Sequence, residues 1–131
     1  RARGLLLLEQ EGIIGLKDGA GMEATVLDID ENPLNLDIVE MEAAQIAGVR
    51  DSVALAVING NYAIDAGLDT SLILATEDPN SEAAVTYANI LVVKEGNEDD
   101  EKIQALVAAL QTEEIRTFIE ETYSVAVVPM F

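Results

Sequence analysis

A chain of 131 residues, half of them apolar, has room for one ordinary domain or one lobe of something larger, with ample material for a packed core. Its 25 acidic residues against 7 basic ones give a formal charge of −18, which argues against a nucleic acid or an anionic membrane met through a basic patch. Cysteine and histidine are both absent. That excludes a disulfide framework, a thiolate metal site, a cysteine nucleophile and the usual general base, and it argues against an enzyme.

In chain order, the elements alternate between the two periods of an α/β fold. Residues 3–11 read as a helix that buries Leu5 to Leu8, with Gly12 suited to a left-handed stop. Residues 13–16 form a short apolar strand, closed by the turn residues 17–21. Residues 25–31 read as a helix ended at Asn32-Pro33, because the residue before proline is pushed away from helical angles. Residues 36–41 alternate apolar and acidic side chains as a half-buried strand does, and 42–47 suit a short helix ending at Gly48.

The apolar run 52–58, with Val53 and Val57, suits a buried strand. Asn59-Gly60-Asn61 breaks it, 62–66 makes a short helix ended by Gly67, and 72–75 is a further short strand. A polar loop, 77–86, separates this block from the next. Residues 87–94 then read as a strong strand, followed by an acidic turn at 95–100. Residues 101–110 carry Ile103, Leu106, Val107 and Leu110 at the spacing of an amphipathic helix. Thr112 caps a second helix without an acid three residues later, and Ile115, Phe118, Ile119 and Tyr123 continue its apolar stripe. The composition shift at 77–86 is the candidate boundary, since one strand and two helices beyond it are too little to fold alone.

Several local signals carry no function. Asp28-x-Asp30-x-Asn32 has the opening spacing of a calcium loop, but Pro33 stands where glycine is required and Val39 where glutamate is. The acidic run 98–101 reads as a solvated face that favours the start of the next helix. Gly15, Gly19 and Gly21 lack the Gly-Lys-Ser/Thr of a phosphate loop. No run approaches the roughly 18 to 20 apolar residues of a membrane span. Residues 1–8 lack the features of a secretory leader, and the chain begins as if cut from a longer one.

Three blocks taken together resemble a known family. They are Arg3-Gly4-Leu5-Leu6-Leu7-Leu8 running on to Gly12-Ile13-Ile14-Gly15-Leu16-Lys17-Asp18-Gly19-Ala20-Gly21, then Val57-Ile58-Asn59-Gly60-Asn61-Tyr62-Ala63 with Ala66-Gly67-Leu68, then Tyr87-Ala88-Asn89-Ile90-Leu91-Val92-Val93. In this order and spacing they are similar to the NlpA lipoproteins, whose best-known members bind methionine for an ABC importer. The ending Ala126-Val127-Val128-Pro129-Met130-Phe131 is similar to that family's C-terminus as well.

The resemblance implies an α/β fold of the type II periplasmic-binding-protein kind. Residues 3–76 would be the second lobe, and 87–131 a hinge-crossing strand and two helices returning to an incomplete first lobe. It implies Arg3, Asn59 and Asn89 as ligand-binding residues: Arg3 for the ligand's carboxylate, which a guanidinium can fork, and the asparagines for its polar ends. Tyr62 and Tyr87 are read as packing residues. The implied partners are methionine or a related amino acid and the permease of an ABC transporter, with no catalytic residues, no metal and no cofactor. The membrane would be met only through a lipid anchor on the missing N-terminal part, which places the protein in the cell envelope, outside the cytoplasmic membrane. A binder of another amino acid or short peptide, and a surface lipoprotein acting as an interaction protein, are the alternatives. Alone, the chain is expected to expose apolar surface, to oligomerise and to bind ligand weakly, since it holds half a cleft.

Overall fold

The computed structural model describes residues 2–131; Arg1, where the stretch read against a leader begins, lies outside the described residues. Helix α1, Ala2–Gln10, buries Ala2 and Leu5 on one face, three residues apart as a helical stripe demands. They pack with Ile14 and Ala24, and Leu8, Ile13, Leu16, Val26 and Ile29 close around them half-buried. Burying a leucine of this kind stabilises by about 1.5–3 kcal/mol. Gly12 ends α1 as its sequence foretells. Its φ is +66°, its N–H reaches Glu9 O at 2.8 Å, and the next N–H, from Ile13, returns to Leu8 O at 2.9 Å.

The chain then turns back along that core. Strand β1, Gly15–Leu16, pairs antiparallel with β2, Ile29–Glu31, with Gly15 opposite Glu31 and Leu16 opposite Ile29. Lys17 prolongs the pairing by donating its N–H to Asp28 O at 2.8 Å and its ammonium to Leu27 O at 2.7 Å. The helix expected at 25–31 is therefore a correction: only one 3-10 turn forms, Val26–Asp28, and the rest is β2. Local bonding explains it. The Asp28 carboxylate accepts both the Thr25 N–H at 2.9 Å and the Thr25 hydroxyl at 2.8 Å, and that hydroxyl accepts the Leu27 N–H at 3.3 Å. A closed single turn leaves Ile29 free to meet the edge of β1. Asp28 and Asn32 thus have local partners, Asn32 clasping the Leu36 backbone through N–H and C=O, both at 2.9 Å.

Four further strand expectations are corrected. Residues 36–41, 52–58, 72–75 and 87–94 form no ladder, and the one sheet among the described residues is β1–β2. A strand is defined by a neighbouring segment that takes its N–H and C=O groups in register, and no second strand pairs with these segments among the described residues. Val53 and Ile73 keep extended angles, yet both are exposed. The region read as a polar loop holds a helix instead. Ser81 caps α4, Glu82–Thr86, by accepting the Ala84 N–H at 3.0 Å, and Ala83 and Ala84 are buried.

The remaining helices match the reading closely. Helix α2 spans Ala43–Val49 and α3 spans Gly60–Asp65, and the two pack together. Numbering on, α5 is Glu101–Leu110, capped by Asp100, whose carboxylate accepts the Lys102 N–H at 2.9 Å. Helix α6, Glu113–Tyr123, is capped by the Thr112 hydroxyl on the Ile115 N–H at 3.3 Å. Their apolar stripes are only half covered: Ile103, Val107, Ile115 and Ile119 are half-buried, while Leu106, Leu110 and Phe118 are exposed. Phe118 meets Tyr123 edge-on at 6.2 Å, and Arg116 lies 5.0 Å from the Phe131 ring, so the C-terminal end folds back on α6.

The 3-10 turn after α6, Ser124–Ala126, packs on α3, and Gly60 makes that contact possible. A Cβ at Gly60 would overlap the Ala126 carbonyl oxygen, whereas a Cβ at Gly48, on α2, would meet nothing within 4 Å. Gly60→Ala is expected to cost about 1–3 kcal/mol, and Gly48→Ala to be neutral or to stabilise by up to about 1 kcal/mol. Denaturant titration of both variants checks the pair; equal effects would contradict the contact.

The Asp28 carboxyl is held below the ordinary aspartate range, first by the Thr25 backbone N–H and then by the Thr25 hydroxyl. A lowered carboxyl contributes stability that is present above its unfolded value and is lost as pH falls through the folded one. A side-chain NMR titration should place Asp28 below about 3.9, the free-aspartate value, and Thr25→Val should move it only part of the way back. A midpoint at or above the free value would contradict this local network.

Candidate functional site

Arg3 sits on the first turn of α1, beside the buried Ala2 and Leu5, so the helix that carries the core also fixes the base of this side chain. Its guanidinium forks the carboxylate of Glu77. Nε lies 2.9 Å from both Oε1 and Oε2, and Nη2 lies 2.6 Å from Oε2. The Tyr87 ring faces the same guanidinium, with its centroid 5.6 Å from Cζ. Donating to the Glu77 carboxylate raises Arg3 above its ordinary range, so the side chain stays charged wherever the protein is folded. The Arg3 side chain is 41% exposed and that of Glu77 17%. Solvent screening therefore holds the pair's contribution to stability at roughly 1 kcal/mol or less.

The other two expected residues stand on segments that border Arg3. Gly4, the next residue of α1, lies against Val57, where an added Cβ would come 3.6 Å from Val57 Cγ1. Asn59 comes two residues later and occupies the position before α3, exposed, with no side-chain cap to the helix. Asn89 comes two residues after Tyr87 and is also exposed. The first turn of α1 thus meets the end of the 52–58 run at Gly4 and the start of the 87–93 run at Arg3. Close approach is shown for Arg3 with Tyr87 and for Gly4 with Val57; neither asparagine side chain makes a hydrogen bond to a described residue.

Tyr87, read as a packing residue, is half-exposed and packs its face on Arg3. The participant that sequence reasoning missed is Glu77. Glu77 was one acid among 25, in a stretch read as a loop. Spacing offers no clue to an ion pair between residues 74 apart. A shallow cleft opens beside Glu77, lined by Leu6, Leu7, Met22, Ser81 and Ala83. Among the described residues no cluster could hold a metal ion, and no helix is long and apolar enough to cross a membrane.

Chemically, Arg3 offers one permanent cation with donors in a plane, and Asn59 and Asn89 are exposed amides on segments that continue from its neighbours. These are groups that hold a small zwitterion or a carboxylate.

Comparison with known proteins sets this site in context. The chain is 45% identical over 116 residues to the D-methionine-binding lipoprotein MetQ of Escherichia coli (strain K12), covering 86% of this chain and 41% of that protein. It superposes with a TM-score of 0.81, at 41% identity, on an ABC transporter periplasmic substrate-binding protein from Coxiella burnetii, over 98% of this chain and 52% of that one. A nutrient-binding protein from Burkholderia cenocepacia bound to methionine gives 0.77 at 37% identity, over 99% and 54%. The chain spans less than half the length of the curated relatives it matches and about half of these structures. At this similarity the α/β fold of the periplasmic substrate-binding proteins is shared. The profile of the NlpA lipoproteins matches residues 1–131, from end to end, and the chain belongs to that family.

Proposed function

We propose that this chain is the ligand-closing half of a non-catalytic solute-binding protein, which captures a free amino acid, methionine or a near relative, for an ABC importer. The observation that carries this reading is the Arg3 guanidinium, held at the start of α1 among the segments of Asn59 and Asn89. The names of the relatives supply the ligand: they are methionine-binding lipoproteins and a substrate-binding protein of an ABC transporter. In this reading Arg3 forks the carboxylate, and Asn59 and Asn89 serve the polar ends of the ligand. Residues 3–76 form the second lobe, and 87–131 return across the hinge to complete the first.

The unladdered apolar segments support the division. Ile90 is 78% exposed and Val92 75%, on a run whose backbone has no ladder partner among the described residues. Strands of a first lobe would satisfy both needs together. Closure of two lobes then buries the ligand between them, and the closed form is what the permease receives. A lipid anchor elsewhere in the polypeptide would hold the protein at the outer face of the cytoplasmic membrane.

Calorimetric titration of the full-length protein tests the reading, with L- and D-methionine and a panel of other amino acids. Arg3→Ala is expected to weaken methionine binding by about 3 kcal/mol, roughly 100-fold, because a desolvated carboxylate loses its charged partner. Heat with no member of the panel, or unchanged affinity in Arg3→Ala with the fold intact, would overturn it.

A further inference from the structure

A guanidinium has two edges that can fork a carboxylate, one made by Nε and Nη2, the other by Nη1 and Nη2. Glu77 occupies the first edge of Arg3. Tyr87 stands against its face. The second edge is left over. We propose that Glu77 is a positioning residue for ligand capture: it holds the Nε edge so that the Nη1/Nη2 edge of Arg3 presents a second, ready-made fork to the carboxylate of the ligand. This inference rests on the reading of Arg3 as the carboxylate grip.

Glu77 is itself built in. The side-chain amide of Gln10, on the last turn of α1, clasps the backbone on both sides of it. Gln10 Nε2 donates to Thr76 O at 3.1 Å, and the Asp78 N–H donates to Gln10 Oε1 at 3.1 Å. The first and last turns of α1 therefore grip the same three residues, one through a side-chain fork and one through the backbone. Glu77 is also the less exposed partner of the ion pair. An arginine left alone samples many rotamers, and each must be given up when a ligand arrives. Fixing the side chain beforehand transfers that cost to folding and raises affinity without touching the ligand.

The opposite role, an internal carboxylate that plugs the site and competes with the ligand, makes the contrary prediction. The probes are methionine and methioninamide, which lacks the carboxylate, titrated into the full-length protein. Glu77→Ala is expected to lose about tenfold in methionine affinity while methioninamide is unchanged, the size of one lost preorganised side chain. Arg3→Ala with Glu77→Ala should bind as Arg3→Ala alone does, since a positioning residue has nothing left to position. Gln10→Ala, which leaves the ion pair but loosens its backbone anchor, should move the same way by a smaller factor, and it serves if Glu77→Ala fails to fold. Unchanged or tighter methionine binding in Glu77→Ala, with Arg3→Ala still collapsed, overturns the proposal. Equal losses for both probes would assign Glu77 a merely structural role and overturn it too. Unchanged binding in Arg3→Ala would instead sink the underlying reading.

Discussion

Helix α1 has to satisfy three neighbours at once, and the rest of the structure depends on that. Its inward face supplies Ala2 and Leu5 to the buried core with Ile14 and Ala24. Its two ends hold the 76–78 segment, through Arg3 on Glu77 and Gln10 on the flanking backbone. At Gly4 it backs on Val57, which lies at van der Waals distance from where a Cβ would stand. A rigid element with three attachments is the natural place for a recognition group, because its side chains inherit the positional certainty of the core. The chain carries 25 acidic residues, and the arginine placed here is paired with one of them in a defined geometry.

Away from α1 the chain is loosely covered. Beyond Ala2, Leu5, Ile14 and Ala24, the buried apolar residues among those described are Ala83 and Ala84, while Leu74, Ile90, Val92 and Phe118 are largely exposed. So much apolar surface is costly in water, and an unpaired apolar strand invites association. Under the proposed function this surface has an assigned occupant, the remainder of a two-lobed protein. The family, the fold and the coverage of about half of each relative fit together in that account.

The sequence was most legible where structure is decided locally. Gly12 stops α1 because a left-handed residue is needed there, and Thr112 and Asp100 start their helices because a side-chain oxygen must take a free N–H. It was misleading where a partner decides. Residues 52–58 and 87–94 have the composition of strands, but a ladder is a property of two segments. At 25–31 a helix ended by Asn32-Pro33 was expected, and the Thr25–Asp28 bonds and the edge of β1 prevailed. Ser81 carried an ordinary cap signal for α4 that the polar surroundings obscured. Of the site, Arg3, Asn59 and Asn89 came from the resemblance, whereas Glu77 and Gln10 act across more than sixty residues and leave no local trace.

The central claim is that Arg3, braced by Glu77, receives the carboxylate of an amino acid. A crystal structure of the full-length protein grown with methionine tests it most directly. The account predicts the ligand carboxylate on the Nη1/Nη2 edge of Arg3, with Glu77 still on the Nε edge and Asn59 and Asn89 within hydrogen-bond reach of the ligand. A carboxylate held elsewhere, with the Arg3–Glu77 pair facing solvent, would contradict it.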